Sequence, residues 1–368
     1  MIAFTSHGKD LAAAIAKAAA GLPSRPVNPV HAGMLLQVGG LSGAPPGMIR
    51  ITASDGQVAF SSTCDAAITE HDSVILPGRM LSEFSRYFGK SVSFESDGNS
   101  AVFTSGKSRF SLNASPGSRF PKWLEFPDVL GKLDGEDFTE AVKVVTVAAA
   151  RNDPVLRAVR MEINDGKLLM LSTDRSRMAL AAPVITALTL KADTVPHSPV
   201  LVPSSVLERF SHVLGEDEVS FGWNASLAGI ATEGLVVTAP QVAGEFVKGW
   251  EMITRDYPPD VSTDADALLD AVKMAALAAG DRGTVRLAFA EELTVSASGD
   301  AGYHGELEWL GSSEGEPRVL DFTPRYLIDG ITACKDQLSL SWTGRALLMS
   351  SGDVRYLVQP RKTVSIRK

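Results

Sequence analysis

The 368-residue sequence is poor in the features that mark several large classes of protein. Its only cysteines, Cys64 and Cys334, are too few and too far apart for a disulfide framework or a zinc site, which fits a reducing cytosol. No apolar run approaches the roughly 20 residues that a membrane-spanning helix needs. The alanine run near the start is interrupted by Lys17 and follows no basic segment, so it is unlike a signal peptide. We therefore expect a cytoplasmic protein with no membrane partner.

Signatures of catalysis and of cofactor binding are also scarce. The six histidines are scattered without metal-ligand spacing, and no G-x-S-x-G motif is present. The stretch SGKS at 105–108 ends like a phosphate-binding loop, but its setting is strand–turn–strand, and alanine occupies the place of the required earlier glycine. The sequence thus predicts no enzyme activity, no cofactor and no bound metal. A nucleotide-hydrolysing enzyme is the weaker alternative.

The overall charge gives no strong sign of a nucleic-acid binder. The net charge is −8, which repels a polyanion from the molecule as a whole. Hydrophobic residues make up 45% of the chain and charged residues 21%, which is enough for packed cores. A chain of this length predicts two or three domains rather than one.

One phrase recurs three times at nearly equal spacing. It reads VILPGRMLSEF at 74–84, VLVPSSVLERF at 200–210 and, more faintly, VLDFTPRYLIDGI at 319–331. Each copy predicts a strand end, a short turn and an amphipathic helix, because proline is tolerated in the turn or at the first helical position. Three copies at intervals of about 120 residues indicate an internal repeat.

Other features recur at matching offsets. A helix is predicted near the start of each unit, with Gly21 and Gly280 as C-terminal stops, over 9–21, 136–150 and 264–280. Alternating strands follow each helix, so each unit runs helix, strands, helix, strands, and the fold class is α+β. Proline-rich stretches mark the joints. They predict three domains, at 1–128, 129–257 and 258–368.

Six segments stand in a recognisable order along the chain. They are LPSRPVNPVHAGMLLQV (22–38), SRFSL (108–112), RFP (119–121), NDPVLRAVRMEI (152–163), LSTDRSRMALA (171–181) and YLVQP (356–360). Together they resemble the bacterial sliding clamp, the β subunit of DNA polymerase III. Any one segment is only moderately specific, whereas the ordered set covers the chain from end to end.

The resemblance implies the DNA clamp fold, with three structurally similar domains that each place two helices inside and β-sheets outside. Two chains would join head to tail as a homodimeric ring around duplex DNA, whatever its sequence. A clamp loader would open the ring, and the ring would tether the DNA polymerase III α subunit and other proteins with a clamp-binding motif. Such a protein is not an enzyme. The rival interpretation is a repeat-built scaffold that binds proteins and never meets DNA.

The resemblance implies that a set of basic residues faces DNA. Arg25 matches a loop arginine of the family that touches DNA. Basic and acidic residues are nearly equal in number on the six presumed inner helices, so an ordinary solvated face is the alternative. A closed ring needs no strong phosphate contacts, because these would hinder sliding. The remaining DNA-facing residues are Lys9, Lys17, Arg79, Arg86, Arg151 and Arg209.

The resemblance also implies a groove that takes a short peptide tail from a partner protein. Aliphatic side chains would bury a leucine or phenylalanine of the peptide, and an arginine and backbone groups would fix its direction. Plain core packing is the alternative for Leu156, Met178 and Leu357. The predicted wall of the groove consists of Leu156, Thr173, Arg175, Ser176, Arg177, Met178, Val261, Tyr326, Leu347, Leu357 and Gln359.

Departures from the family pattern fall near this groove. Arg175 and Ser176 stand where the family usually has Gly-His, and Gln359 stands where it usually has an apolar residue. The segment RKTVSIRK follows Pro360. We hypothesise altered partner preference or altered sensitivity to groove-binding inhibitors, as a virus-encoded clamp or a second chromosomal copy would show.

Ring closure would pair the first domain with the third domain of the other subunit, edge strand to edge strand. By the resemblance, Phe110 and Leu112 would meet Ala276 and Leu277 at this seam. The alternative is that Phe110 and Leu112 face the core of their own domain.

Overall fold

The computed structural model describes residues 2–39, 44–122, 125–189, 198–215, 217–280, 283–298, 304–312 and 316–361. The chain has the α+β fold that the sequence predicts. No helix within these ranges is both long enough and apolar enough to span a membrane. The helices are α1 (Gly8–Ala19), α2 (Gly78–Ser85), α3 (Gly135–Thr146), α4 (Ser204–Leu214), α5 (Ala265–Ala279) and α6 (Pro324–Cys334).

The predicted helix starts agree with the structure to within one residue, but two of the ends differ. Gly280 follows α5 with φ +64°, as a glycine stop should. Gly21 is not a stop, since α1 already ends at Ala19, and a Cβ there would lie 2.6 Å from the carbonyl oxygen of Ala53. That glycine permits a close backbone approach. Helix α3 ends four residues early, where the Ala150 N–H donates to the carbonyl oxygen of Leu156 instead.

The strands fall into three successive sets, which we name the first, middle and last repeats. The first holds β1 (Ile2–His7), β2 (Gly33–Val38), β3 (Met48–Ser54), β4 (Ala59–Asp65), β5 (Ala67–Glu70), β6 (Ser73–Pro77), β7 (Ser91–Ser96), β8 (Ser100–Ser105) and β9 (Ser108–Asn113), and the short β10 (Ser115–Pro116) follows it. The middle repeat holds β11 (Gly131–Leu133), β12 (Ala158–Asn164), β13 (Lys167–Thr173), β14 (Arg177–Ala181), β15 (Ile185–Leu188), β16 (Val200–Pro203), β17 (Val219–Trp223), β18 (Leu227–Thr232) and β19 (Leu235–Pro240). The last holds β20 (Val261–Asp264), β21 (Thr284–Phe289), β22 (Glu292–Ser298), β23 (His304–Ser312), β24 (Arg318–Phe322), β25 (Gln337–Trp342), β26 (Leu347–Ser351) and β27 (Val354–Val358).

Two strand orders recur in the repeats, except that the second order has four strands instead of five in the last repeat. One half-sheet reads β6-β2-β3-β4 in the first repeat, β16-β12-β13-β14 in the middle one and β24-β21-β22-β23 in the last. The other reads β5-β1-β7-β8-β9, then β15-β11-β17-β18-β19, then β20-β25-β26-β27. The threefold repeat that the recurring phrase predicts is therefore present in the strand topology.

Two antiparallel pairings join half-sheets of neighbouring repeats. In the first joint, β19 pairs with β4, with Val236 opposite Ser61 and Thr238 opposite Ala59, and a ten-stranded sheet results. In the second joint, β27 pairs with β14, with Leu357 opposite Met178, and an eight-stranded sheet results. The equivalent strands β9 and β23 are edge strands of the five-stranded and four-stranded sheets.

The described chain divides into two compact units rather than three. One comprises Met1–Phe138, Ile185–Pro196 and Ser205–Gln241, and the other comprises Thr139–Val184, His197–Ser204 and Val242–Lys368. The middle repeat contributes strands to both units, because each joint ties one of its half-sheets to a neighbouring repeat. The domain boundaries read from the sequence stay a prediction.

The first repeat shows how these elements are held together. Leu11 and Ile15 lie one turn apart on α1 and are fully buried, as an amphipathic helix requires. They belong to one core with Phe94 and Phe103, whose rings are 4.6 Å apart between β7 and β8. Burying such aromatic side chains supplies much of the core's stability, on the order of 2 kcal/mol for each ring.

Candidate partner-binding groove

One face of the second joint carries a row of side chains from four adjacent strands. Thr173 lies opposite Met178, Met178 opposite Leu357, and Leu357 opposite Leu348. Residues that are directly opposite each other point to the same side of a sheet, so this row shares one face, which we call the groove face. It is mainly apolar and includes the predicted groove residues Thr173, Met178 and Leu357.

The groove face is covered by a segment that the sequence did not assign to the site. Phe246, Trp250, Met252, Ile253 and Tyr257 pack against Leu171, Leu180, Leu348 and Leu357, and Ile253 is fully buried there. This segment has no helical or alternating pattern, so periodicity could not reveal its contacts.

Two arginines of the sheet hold this segment in place. The Arg355 guanidinium donates to the carbonyl oxygen of Arg255 at 2.7 Å and pairs with Asp256 at the same distance. Arg160 stacks on the ring of Trp250, with 4.0 Å between the guanidinium carbon and the ring centroid. Two cations of the sheet therefore hold the covering segment at two separate points.

The structure places Leu347, Val261 and, as described below, Arg177 away from the groove face. Leu347 lies opposite Val358, which lies opposite Arg177, so Leu347 points to the other side of the sheet. Its neighbour Leu348 takes the position beside Leu357, because a shift of one residue reverses the face. Val261 lies in β20, three strands beyond β27, a separation of about 14 Å at the usual strand spacing.

Some of the predicted wall residues are buried in the core, and others are accessible to a partner. Leu156, Thr173, Val261, Leu347 and Leu357 are each at most 3% exposed. Met178 and Tyr326 are partly exposed, while Arg175, Ser176 and Gln359 are exposed. The surface that a partner could reach is therefore concentrated at the end of the groove face near the β13–β14 turn.

Arg177 braces the fold from the opposite face. Its guanidinium donates to Asp174 at 2.9 Å, to Asp329 of α6, and to the Tyr356 hydroxyl at 3.2 Å. It also lies over the Tyr326 ring, 4.4 Å from the centroid. Burial opposes its charge, but Tyr356 and the two carboxylates outweigh that effect and raise the pKa of Arg177. Three of its five N–H donors are engaged in these contacts, so Arg177 links α6 to the sheet instead of reaching into the groove.

The β13–β14 turn is built by side-chain acceptors. Asp174 accepts from the N–H of Ser176 at 2.9 Å and from the N–H of Arg177 at 3.0 Å. The Thr173 hydroxyl accepts from the Arg175 N–H at 3.0 Å. Arg175 has φ +75°, a left-handed conformation that favours glycine, the residue that the resemblance leads us to expect at this position.

Three of the predicted groove elements meet at this turn. The Arg175 guanidinium lies 3.1 Å from Asp153, and Asp153 accepts from the N–H of Leu156 at 3.0 Å. That hydrogen bond and the one from Val155, aided by Arg175, lower the pKa of Asp153. The Gln359 N–H donates to the carbonyl oxygen of Ser176 at 2.9 Å. The turn, the Leu156 loop and the end of β27 thus form one contiguous surface.

Comparison with known proteins decides the family. A model of the DNA polymerase III beta subunit, N-terminal domain, matches residues 2–124. The chain is 30% identical over 357 residues to the beta sliding clamp of Streptomyces coelicolor, which covers 92% of this chain and 91% of that protein. The chain belongs to the β sliding clamp family.

Two further comparisons agree with this assignment. The beta sliding clamp of Micrococcus luteus is 32% identical over 301 residues, covering 80% of this chain and 94% of that protein. The crystal structure of the DNA polymerase sliding clamp from Bacillus subtilis matches with a TM-score of 0.88 over 98% of this chain and 99% of that chain. At 18% identity, that likeness shows a shared fold.

The basic residues that the sequence assigns to DNA are not all equally accessible in this clamp. Lys17 lies 3.6 Å from Asp217. Arg209 donates to the carbonyl oxygen of Ala20 at 3.3 Å, and burial lowers its pKa although Asp55 opposes this. The other five, which are exposed, are Lys9, Arg25, Arg79, Arg86 and Arg151.

One loop contact brings two of the exposed clamp residues together. The Arg79 guanidinium donates to the carbonyl oxygen of Ser24 at 2.6 Å, next to Arg25 in the chain. Arg79 is the second residue of α2, so the loop and the helix start present their positive charges side by side.

The predicted seam residues of the clamp divide by exposure. Leu277 is 84% exposed on α5, and Met274, one turn earlier, is 55% exposed, although the sequence did not single it out. Leu112 is 7% exposed and belongs to the core of the first repeat. Phe110 is partly buried and stacks on Phe84 at 5.1 Å. Within the single chain, Leu112 and Phe110 pack against the core of their own repeat, and their place at the seam stays a prediction.

Proposed function

We propose that this chain is a DNA sliding clamp that closes into a ring with a second copy of itself and encircles duplex DNA. The observation that supports this most strongly is the unfinished strand pattern. The first joint pairs β19 with β4, and the second joint pairs β27 with β14. The equivalent third pair would be β9 and β23, both edge strands. A second copy would supply the missing partner at each end, which gives six repeats in a closed ring.

The exposed apolar residues of α5 fit the same proposal. Met274 and Leu277 lie three residues apart, so they form a single patch on the helix surface. A contiguous exposed apolar patch is characteristic of an interaction site. In the proposed ring, this patch meets the first repeat of the partner beside the β9–β23 pairing.

Encirclement explains why the chain needs no strong grip on DNA. The net charge of −8 keeps the exterior from attracting the duplex, and exposed Lys9, Arg25, Arg79, Arg86 and Arg151 supply scattered positive charge. Such weak phosphate contacts permit sliding, because each contact can exchange rapidly. The clamp makes and breaks no bond, and it acts in the cytoplasm.

The direct test is loading onto nicked circular DNA with a bacterial clamp loader. The clamp should stay on the circle during gel filtration and leave once the circle is cut, because only a topological link is lost on cutting. Equal retention on circular and linear DNA would contradict encirclement, and failure to be retained on either would support the protein scaffold instead.

The groove face is proposed to tether partner proteins through a short peptide. An apolar peptide residue would contact the exposed part of Met178, and the peptide would run past Arg175, Ser176 and Gln359. Polymerase III α subunit and clamp loader are the expected sources of such peptides. Tethering raises the polymerase's effective concentration at the primer end, so release is followed by recapture.

A binding titration tests the groove. A fluorescent QLxLF-type peptide should bind the clamp, and Met178→Ser should weaken binding by about tenfold or more, as expected when a central apolar contact is removed. Val319→Ser, at a position 59% exposed on β24, is the matched control and should bind normally. Equal affinity of both variants for the peptide would place the site elsewhere.

A further inference from the structure

The first joint repeats the groove architecture with different side chains. The turn Ser54-Asp55-Gly56 corresponds to Thr173-Asp174-Arg175, with the same acceptors: Asp55 binds the N–H of Val58 at 2.8 Å, and Ser54 binds that of Gly56 at 3.1 Å. In this register, Ala59 occupies the position of Met178. The face of the first joint that carries Ala59 is therefore the structural counterpart of the groove face.

Smaller and more polar side chains leave space on this counterpart face. Thr238 lies opposite Ala59, as Leu357 lies opposite Met178. Ser61 takes the place of Leu180, and its hydroxyl lies 3.0 Å from that of Thr52. Phe126, which precedes β11, packs over this face. Its ring fits only because Gly229 has no Cβ, since a Cβ there would lie 2.6 Å from the ring.

The result is a pocket of about 420 Å³ on the first joint. This lies within the range of small-ligand sites, roughly 300–1,000 Å³. Its walls combine an aromatic ring, several hydroxyls and one cation, and they include Arg50, Ser61, Thr63, Phe126 and Thr238. The pocket is thus amphipathic, whereas the groove face at the second joint is mainly apolar.

Arg50 is the group that points to a ligand. It lies opposite Thr63 on this face and is only partly exposed. Within the described part of the chain, its guanidinium makes no ion pair or hydrogen bond. Burial lowers the pKa of Arg50, and in the same described ranges no ion pair compensates its charge. An anion in the pocket would supply that compensation.

The charged residues that line the pocket indicate which class of anion it would bind. Glu125, which is exposed, is the other charged residue that lines the pocket. One arginine and one glutamate leave the lining neutral, so a single carboxylate suits it better than a doubly charged phosphate. The Phe126 ring provides apolar surface for the rest of such a ligand.

We propose that this pocket binds the carboxylate of an organic acid with an apolar body, through Arg50 and the neighbouring hydroxyls. The ligand is either a free small acid or the C-terminal residue of a peptide, which share this chemistry. The proposal does not depend on ring closure or on the groove at the second joint.

The experiment uses N-acetylphenylalanine, its uncharged amide and the peptide acetyl-Ala-Ala-Phe with a free C-terminus, observed by protein NMR and titration calorimetry. Both free acids should bind the full chain and the amide should not. Arg50→Met, which keeps the aliphatic stem, should weaken acid binding by about tenfold or more, and Arg50→Lys should weaken it less. Arg345→Met, at an exposed arginine in the last repeat, is the control.

The relative affinities identify the source of the carboxylate. Tighter binding of the peptide would assign the pocket to peptide C-termini, and equal binding would assign it to small acids. A measured thermal midpoint for each variant separates lost binding from lost folding. The proposal is overturned if the amide binds as well as the acid, if Arg50→Met binds normally, or if neither acid binds at about 10 mM.

Discussion

The β13–β14 turn offers a sharp test of the local structure, because the chain contains the same turn with and without glycine. Gly56 has φ +96° and Gly98 has φ +94°, each after a Ser-Asp pair whose aspartate accepts two backbone N–H groups. Arg175 takes the equivalent place at φ +75°. A residue with a Cβ pays about 1–2 kcal/mol for this conformation, whereas glycine does not.

Two substitutions, Arg175→Ala and Arg175→Gly, test this cost. Both remove the contact with Asp153, so the difference in stability between the two variants measures the effect of the Cβ alone. Glycine gains the relief of about 1–2 kcal/mol but loses about 0.5–1 kcal/mol through its greater freedom in the unfolded chain. We therefore expect Arg175→Gly to be more stable than Arg175→Ala by roughly 0.5–1 kcal/mol.

Thermal unfolding followed by circular dichroism measures this difference. The expected order of midpoints is Arg175→Gly above Arg175→Ala, by about 1–2 °C for a chain of this size. Because the exposed ion pair with Asp153 contributes little, Arg175→Ala should lie close to the wild type. An alanine variant that is as stable as the glycine variant would refute the left-handed strain at this turn.

Three further predictions follow from other contacts. Arg177→Met should lower the free energy of unfolding by about 3 kcal/mol or more, because Asp174 and Asp329 would lose the buried guanidinium that they share. An unchanged midpoint in calorimetry would contradict this role of Arg177. Hydrogen bonds from Lys143 and Lys335 lower the pKa of Glu140, so its carboxylate contributes stability that is present above its ordinary pKa of 4.5 and is lost as pH falls through the lower folded value. In Glu140→Gln, the thermal midpoint should therefore fall less steeply below about pH 4.5 than in the wild type, and an unaltered pH profile would argue against these two contacts. Leu277→Asp should lower the particle mass measured by light scattering toward that of one chain, whereas Leu188→Asp, at another exposed leucine, should leave the mass unchanged. If both variants have the same mass, Leu277 does not lie in the interface.

Much of the fold follows from short-range patterns. The proline-led phrase and the amphipathic helices predict α1 to α6 because helix starts depend on local chemistry, such as Asp264 accepting the N–H of Ala267 at 3.0 Å before α5. The strands of each unit are also predicted in part, since several of them, such as β7 and β8, alternate over several residues. The pairing of strands from different repeats has no local signal, because it joins residues more than a hundred positions apart.

The groove was predicted less completely than the fold, because the sequence does not show the strand register or the segment that covers the groove face. Leu347 and Leu348 are equally apolar in the sequence, and only the pairing with β27 decides which one lies beside Leu357. Ile253 belongs to a segment without periodicity, so its burial depends entirely on tertiary contacts. Arg177 looks like a free cation until Asp329 is brought to it by α6. Side-chain roles that depend on distant partners cannot be read from residue type and spacing alone.

The central claim is that a second copy of the chain completes the strand pattern at β9 and β23. Sedimentation equilibrium of the purified protein over a range of concentrations tests it most directly. The account predicts a particle of twice the chain mass of 39.0 kDa that persists on dilution. A particle of one chain mass at every concentration would contradict it.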